Sequence, residues 1–381
     1  MEEPLAIDPP AVGAAVPHDM GKIWKSSSCF ASIGYRSRKT SRRREKHQRS
    51  ATFSTMTDSI SQQLVFLDAA TMACNGDIDL RVLEEFGSLT EYAITAPDET
   101  AQRLVGATIA LTNKVVIGAS EMDAAGASLK LIVVCATATN NIDIKAASER
   151  GIGVCNVSGY STAGVAQHVF ALLLNLVTHC HRYVIEPEKW ADSPIFTRMD
   201  FPVMELTGKM LGIAGYGAIG RKVAEIGRAL GMNVQALQRS SNASSDSTDI
   251  ARVPLKEFFE SSDVISLHCP LSPETEKMIN AESLGWMRPG GFLINTGRGG
   301  LVDESALLEA LTDGQLGGAG LDVLSVEPPP ADHPLLTTRL PNLLITPHTA
   351  WSAVESRHLL VDGVMANIRS FLAGGSANRL V

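Results

Sequence analysis

Three polar segments in the second half of the chain each follow a short apolar run, and each carries one residue suited to catalysis. Arg298 lies in Asn295-Thr296-Gly297-Arg298-Gly299-Gly300, Glu327 in Leu321-Asp322-Val323-Leu324-Ser325-Val326-Glu327-Pro328, and His348 in Thr346-Pro347-His348-Thr349-Ala350-Trp351. Taken singly they read as a surface cation, a loop acid before proline and a turn histidine. Taken together they supply a cation to hold a carboxylate, an acid to protonate a carbonyl oxygen, and a carboxylate to orient that acid. Hydride transfer to a 2-oxo acid requires this set from the protein.

A hydride carrier has its own signal upstream. Leu211-Gly-Ile-Ala-Gly215-Tyr-Gly217-Ala218-Ile219-Gly220-Arg221 is G-x-G-x-x-G between an apolar run and a helical segment closed by Gly231. Gly215 allows the tight turn, Gly217 lets the backbone approach a pyrophosphate and Gly220 permits close helix packing, while free N–H groups at the helix start face the anion. In an NAD site an acid about 20 residues beyond the first glycine binds the ribose hydroxyls. Here the next strand ends in Gln238-Arg239-Ser240-Ser241, and no acid appears before Asp246. A neutral Gln238 does not repel a 2′-phosphate, and Arg239 can donate to it, so NADP is the expected preference and NAD the alternative.

These residues need a frame, and the pattern from Gln63 onward provides one. Short β-branched runs at Leu64–Leu67, Tyr92–Thr95, Thr108–Leu111, Leu131–Cys135 and Gly153–Asn156 alternate with helical segments such as Asp79–Phe86 and Ile144–Arg150. A long helix over Ala163–Tyr183 follows, with Val165, Val169, Leu172, Leu173 and Leu176 on one face. Six further runs come next: Met210–Ala214, Val234–Leu237, Val264–His268, Phe292–Asn295, Gly320–Val323 and Leu343–Thr346. Strict alternation of strand and helix predicts an α/β protein with parallel sheets covered on both faces, the second of them doubly wound. A last helix over Val354–Leu372 is too short to be a domain and is expected to return to the first one.

The 381 residues hold 33 Lys+Arg and 41 Asp+Glu, unevenly spread. Residues 21–56 carry ten basic side chains and one acid, Glu45, whereas the chain from Gln62 onward has a net charge of −12. So acidic a body repels phosphates, which argues against nucleic acid and anionic membranes as partners. No apolar stretch approaches the roughly 18 residues that span a bilayer. The six cysteines form no Cys-x-x-Cys pair and mostly sit inside apolar runs, which suits free buried thiols in a reducing compartment, the cytoplasm. No metal site is expected: His179 and His181, two apart on a helix, face different ways. Residues 1–61 lack an apolar period and read as a disordered extension. It is a solvated extension, a stretch read from an upstream start codon with Met56 as the working start, an organelle transit segment, or a carrier of a nuclear signal in Arg42–Arg44.

The ordered set Gly215 to Gly220, His268-Cys269-Pro270-Leu271, Asn295 to Val302, Leu321-Asp322-Val323 with Glu327-Pro328, and Thr346-Pro347-His348 resembles the D-isomer-specific 2-hydroxyacid dehydrogenase family over about 63–381. Thr112-Asn113-Lys114-Val115, Asn140-Asn141-Ile142-Asp143, Gly159-Tyr160-Ser161-Thr162 and Val165-Ala166-Gln167-His168 look most like its glycerate dehydrogenase, or hydroxypyruvate reductase, branch. The resemblance implies two Rossmann-like doubly wound parallel-sheet domains separated by a cleft. One is a discontinuous substrate domain (62–160 with 351–381) and the other a dinucleotide-binding domain (161–350). It also implies closure by hinge motion and a homodimer that uses the helix from Ala163.

By the same resemblance, Arg298 binds the substrate carboxylate, His348 is the general acid or base, and Glu327 sets its tautomer. Thr296 and Asp322 contact the nicotinamide end, Cys269 lies beside the cofactor, and Thr137 with Ala138 lines the substrate cleft. Ala138 stands where the family usually has Gly. The expected reaction is reduction of hydroxypyruvate or glyoxylate to D-glycerate or glycolate. Two alternatives stand: a D-3-phosphoglycerate dehydrogenase, with Lys114 toward the phosphate, and a non-catalytic dinucleotide-sensing corepressor.

Overall fold

A computed structural model describes residues 62–73, 76–238 and 250–381; the basic extension, Cys74 and the cofactor candidate Arg239 lie outside the described residues. Two wholly parallel sheets organise the rest. The first contains β1 (Gln62–Phe66), β2 (Gly87–Glu91), β3 (Ile109–Thr112), β4 (Leu131–Val134) and β5 (Gly153–Asn156) in the order β2-β1-β3-β4-β5. The second contains β6 (Met210–Ala214), β7 (Asn233–Leu237), β8 (Ala251–Val253), β9 (Val264–Leu267), β10 (Gly291–Asn295), β11 (Leu316–Leu321) and β12 (Leu343–Ile345) in the order β12-β11-β10-β9-β6-β7-β8. Both are doubly wound, with winding reversed between β1 and β3 and between β6 and β9. Such switch points leave a crevice at the carboxyl ends of the strands, where ligands bind.

Four expected boundaries move, each for a physical reason. The second strand lies at Gly87–Glu91 rather than Tyr92–Thr95, because an exposed edge strand pairs through its backbone and needs no apolar run. The segment after it still joins β1 irregularly, through Tyr92 N–H to the Phe66 carbonyl. The long helix stops at Thr178: His179 takes a left-handed φ of 51° and its ring bonds the Pro202 carbonyl at 3.0 Å, leaving Cys180–Tyr183 as a separate turn. The second sheet gains β8, a three-residue edge strand, and has seven strands rather than six. Finally, β11 starts at Leu316 within Leu-Gly-Gly-Ala-Gly-Leu, a sequence without a β-branched residue. Its glycines admit a helix instead: a Cβ on Gly320 would stand 2.9 Å from the Cβ of Leu172.

That helix, α1 (Thr162–Thr178), buries Val165, Val169, Leu172, Leu173 and Leu176. Together with α2 (Ala218–Ala229) it covers one face of the second sheet, where Val223 and Ala224 meet Leu211 and Ile213. The last helix, α4 (Val354–Leu372; α3 is Glu304–Thr312), inserts Leu360, Val361, Val364 and Ile368 into a core with Leu64, Phe66, Ile109 and Leu131. The C-terminal helix therefore completes the first sheet's core from about 290 residues away in sequence. Tyr160 and Trp351, beside the two chain crossings between the sheets, stack edge to face at 6.4 Å. Of the described cysteines, Cys135 and Cys155 are buried, whereas Cys180 is exposed, against the expectation of buried thiols.

Candidate functional site

All seven strands of the second sheet run the same way, so the turns after β6, β9, β10, β11 and β12 share one edge. The turn after β6 is built by close approach. Gly215 has φ 102°, and a Cβ there would lie 2.4 Å from the backbone nitrogen of Cys269; one on Gly220 would lie 2.3 Å from the Gly215 carbonyl oxygen. Gly217, by contrast, would point a Cβ into open space, at the start of α2. Ala218 and Ile219 open that helix, which aims its unpaired N–H groups at the same space. A cavity of about 1270 Å³ adjoins the turn, lined among others by Gly215, Gly217, Gln238 and Cys269. His268, half-buried on the cavity wall, has its pKa pushed down to about 4 by desolvation, and it pairs with the Ser266 hydroxyl at 2.8 Å.

Two arginines on this cavity escaped sequence reasoning. Arg221 and Arg252 both line it and lie over the Tyr216 ring, at 5.4 Å and 5.9 Å from its centre. Arg221 follows the motif's last glycine and could have been read; Arg252 sits on the short edge strand β8, which gives no periodic signal. Thr296 fits a bound cofactor in another way. Its hydroxyl is buried and finds no hydrogen-bond partner among the described residues, and such an orphan is rare unless a ligand or water answers it. The open space at Gly217 and this unanswered hydroxyl together suit a dinucleotide.

The candidate reacting groups converge on the exits of β10, β11 and β12. His348 Nδ1 lies 2.7 Å from Glu327 Oε2, and the other Glu327 oxygen accepts the Leu324 N–H at 3.0 Å. Burial pushes the Glu327 carboxyl up, but the His348 contact, the Leu324 N–H and the nearby Lys114 charge outweigh it and hold the group below its ordinary value. His348 itself has a left-handed φ of 53°, an arrangement a non-glycine residue keeps only when its surroundings impose it. Asp322 imposes it. That buried carboxylate accepts the Thr346 hydroxyl at 2.6 Å and the N–H groups of Thr349 and Ala350 at 2.9 Å each, and faces His168 Nε2 at 3.4 Å. Burial opposes its charge, yet these donors hold its pKa down. Asp322, expected to touch the nicotinamide, is thus largely engaged in fixing the histidine turn. His168, absent from the expected site set, also bonds Thr346 at 2.8 Å.

Arg298 caps a short turn whose backbone is held by buried Asn295, which donates to the Arg298 carbonyl at 2.9 Å and accepts from Gly297 N–H at 3.0 Å. Lys114 comes from the first sheet. At its switch point the buried Asp68 accepts N–H groups from Asn113 (2.8 Å), Lys114 (2.6 Å) and Val115 (3.3 Å), pinning the loop that carries the lysine. Burial, then the Arg298 guanidinium, push the Lys114 ammonium below its ordinary value, while Glu327 and Asp68 pull it up. Lys114 thus stands within the electrostatic reach of Arg298 and Glu327. Tyr160, half-buried, also feels Arg298, and burial raises its hydroxyl to about 12. Thr137 is not drawn in through its hydroxyl, which donates to the Val157 carbonyl at 3.2 Å; Ala138 is half-buried beside it. Asp68 lay within an apolar strand exit and carried no motif, which is why sequence reasoning passed it by. Among the described residues no three His, Cys, Asp or Glu side chains are grouped to hold a metal, and no helix is long and apolar enough to cross a membrane.

A doubly wound parallel sheet with a glycine turn at its switch point, and a histidine–carboxylate pair and an arginine on neighbouring strand exits, defines a dehydrogenase of the dinucleotide-binding class. The comparisons make the class specific. Residues 170–350 match the D-isomer specific 2-hydroxyacid dehydrogenase, NAD binding domain, family. The chain is 39% identical over 308 residues to a hydroxypyruvate reductase of Blautia hydrogenotrophica, covering 80% of this chain and 95% of the relative. It is 39% identical over 322 residues to a glycerate dehydrogenase of Methylorubrum extorquens, covering 84% and 99%. The solved D-lactate dehydrogenase from Aquifex aeolicus, complexed with NAD and lactic acid, superposes with a TM-score of 0.71 at 28% identity, over 84% of this chain and 99% of that one. The chain belongs to the D-isomer-specific 2-hydroxyacid dehydrogenase family.

Proposed function

We propose that this dehydrogenase reduces hydroxypyruvate and glyoxylate to D-glycerate and glycolate, with NADPH preferred over NADH. The observation that carries the chemistry is the 2.7 Å contact between His348 Nδ1 and Glu327, beside Arg298 and Lys114. The reduced nicotinamide, when bound, supplies the hydride; Thr296 and Cys269 line its side of the site. Arg298 grips the substrate carboxylate with its planar fork. His348 acts as the acid in reduction: Nδ1 is committed to Glu327, which leaves Nε2 to give its proton to the carbonyl oxygen. In the oxidative direction the same nitrogen removes it. Lys114 offers a second cation for a polar substituent on C3, which favours hydroxypyruvate over pyruvate. NADPH preference rests on neutral Gln238, on Arg239, and on Arg221 and Arg252 lining the same cavity.

The direct test is loss of reduced cofactor with hydroxypyruvate, glyoxylate, pyruvate and 3-phosphohydroxypyruvate, each with NADPH and NADH. Fast NADPH oxidation with the first two is expected. A second reading, a D-3-phosphoglycerate dehydrogenase, is favoured by the two cations Lys114 and Arg298, and faster turnover of the phosphorylated acid would select it. Tight cofactor binding without turnover of any 2-oxo acid would select the corepressor alternative.

We infer further that 62–160 with 351–381 moves as a substrate domain against 161–350, and that two copies of the chain associate. The apolar face of α1 is buried within the chain, so the surface favouring a homodimer is the segment after it, where Ile185, Trp190, Phe196 and Met199 are exposed, Phe196 at 89%. Phe196→Asp should dissociate such a dimer in sedimentation equilibrium. A cytoplasmic site suits the free thiols, and sequencing the mature N-terminus would test it against organelle import.

A further inference from the structure

We propose that Glu304, outside the reacting set, is a positioning residue that fixes the Glu327 loop against the Arg298 turn. Glu304 is the first residue of α3, and its side chain is largely buried. Its Oε1 accepts the Ser325 N–H at 2.7 Å; its Oε2 accepts the Ser325 hydroxyl at 2.8 Å and faces His333 Nε2 at 3.2 Å. One carboxylate therefore ties down both ends of residues 325–333, the loop in which Glu327 lies. The tie continues inward. Leu324 N–H, one residue before Ser325, donates to Glu327, and Glu327 holds His348.

The same anchor is joined to Arg298. Gly299 backs directly onto this loop, where a Cβ would stand 1.9 Å from the Leu324 carbonyl carbon, and Glu304 follows five residues later across one short turn. The arginine that grips the carboxylate and the acid that orients the histidine are thus set against each other by Gly299 contact and the Glu304 bonds. An acid in the first turn of a helix has an ordinary explanation in the helix dipole. That explanation does not account for a double bond pattern to Ser325, nor for His333, whose Nδ1 is buried without a partner among the described residues while Nε2 meets Glu304. Burying an unanswered nitrogen is unfavourable, so the His333 ring is held by its Glu304 contact and not by full satisfaction of its own polar atoms.

The proposal rests on the reading that Glu327 serves His348, and its test separates the two. Glu304→Ala, Glu304→Gln and, as a control, Glu327→Gln would be assayed for kcat, KM, the pH profile of 2-oxo acid reduction and thermal midpoint. Loss of the anchor is expected to lower kcat about 10- to 100-fold, as small misplacements do, with KM changed far less. The alkaline limb of the reduction profile should move to lower pH, because a displaced Glu327 no longer favours the protonated histidine. Glu304→Gln keeps the shape and an acceptor for the Ser325 N–H, and should recover most of the rate. A Glu304→Ala enzyme with a lower midpoint but wild-type kcat and pH limb would overturn the proposal. Should that variant not fold, the double variant Glu304→Gln/Ser325→Ala is read by the same criteria. If Glu327→Gln leaves the limb unmoved, the Glu327 reading fails and takes the proposal with it; if only the Glu304 variants leave it unmoved, the proposal alone fails.

Discussion

The two sheets reverse their winding in the same way, yet they fill the resulting crevices differently. At the β6/β9 switch the crevice is left open, framed by backbone: Gly215 against Cys269, Gly217 facing space, and the first turn of α2 beside it. At the β1/β3 switch the protein closes the crevice with its own anion, Asp68, which takes three backbone N–H groups as a bound phosphate or carboxylate would. One topology therefore makes an anion site twice. In one sheet the anion is left to a ligand, and in the other it is built in and spent on holding Lys114. The lesson is that a switch point supplies donors, and the residue types around it decide whether the acceptor comes from outside.

The comparison can be broken at either end, beginning with the proposed chemistry. His348→Gln should lower kcat for reduction by about 10²- to 10⁴-fold, the cost of a lost general acid, and unchanged turnover would remove His348 from the mechanism. At the open switch, Gly217→Val should leave the thermal midpoint near wild type, since its Cβ meets nothing within 4 Å, while weakening cofactor binding by about 10²-fold where the pyrophosphate approaches. Fluorescence titration with NADPH checks this; unaltered affinity would mean the dinucleotide does not use that turn.

The filled switch has an opposite signature in pH. Asp68 is raised above the ordinary carboxylate value of 3.8, chiefly by burial, so its contribution to stability is fullest below 3.8 and is lost as pH rises through the raised value. Asp322 is held below 3.8, so its contribution is present above that value and is lost as pH falls through the lowered one. Urea unfolding of Asp68→Asn and Asp322→Asn between pH 3 and 7 should therefore diverge. The deficit of Asp68→Asn relative to wild type should grow toward acid, and that of Asp322→Asn should shrink. Either deficit at neutral pH should be about 1–3 kcal/mol, the cost of buried donors losing their best acceptor. The smallest effect is expected from Gln238→Asp, which should move the NADPH/NADH ratio of kcat/KM about tenfold toward NADH by placing a carboxylate on the ribose hydroxyls. An unmoved ratio would leave the choice to the arginines.

Much of the open switch could be read in advance. Its glycines are spaced by a local backbone requirement, and Arg298, Glu327 and His348 each follow an apolar run that had to be a strand. The filled switch could not be read. Asp68 and Lys114 are 46 residues apart, and nothing local says that β1 and β3 are neighbours. Weak edge strands such as β2 and β8 were misplaced or missed, because backbone pairing alone leaves no mark on side-chain pattern.

The sequence by itself determined the parallel α/β class and the dinucleotide turn, which rest on periodicity and on residues close in the chain, and it named Arg298, Glu327 and His348 as candidates because each follows an apolar run. Only the tertiary structure decided that Asp322 clamps the histidine turn, that Glu304 is bonded to the Glu327 loop, that Arg252 shares a cavity with Gln238, and that Lys114 feels the charge of Arg298. Each of those depends on strand order, which brings distant residues together through pairing and core burial, and neither force is encoded in any short stretch of chain.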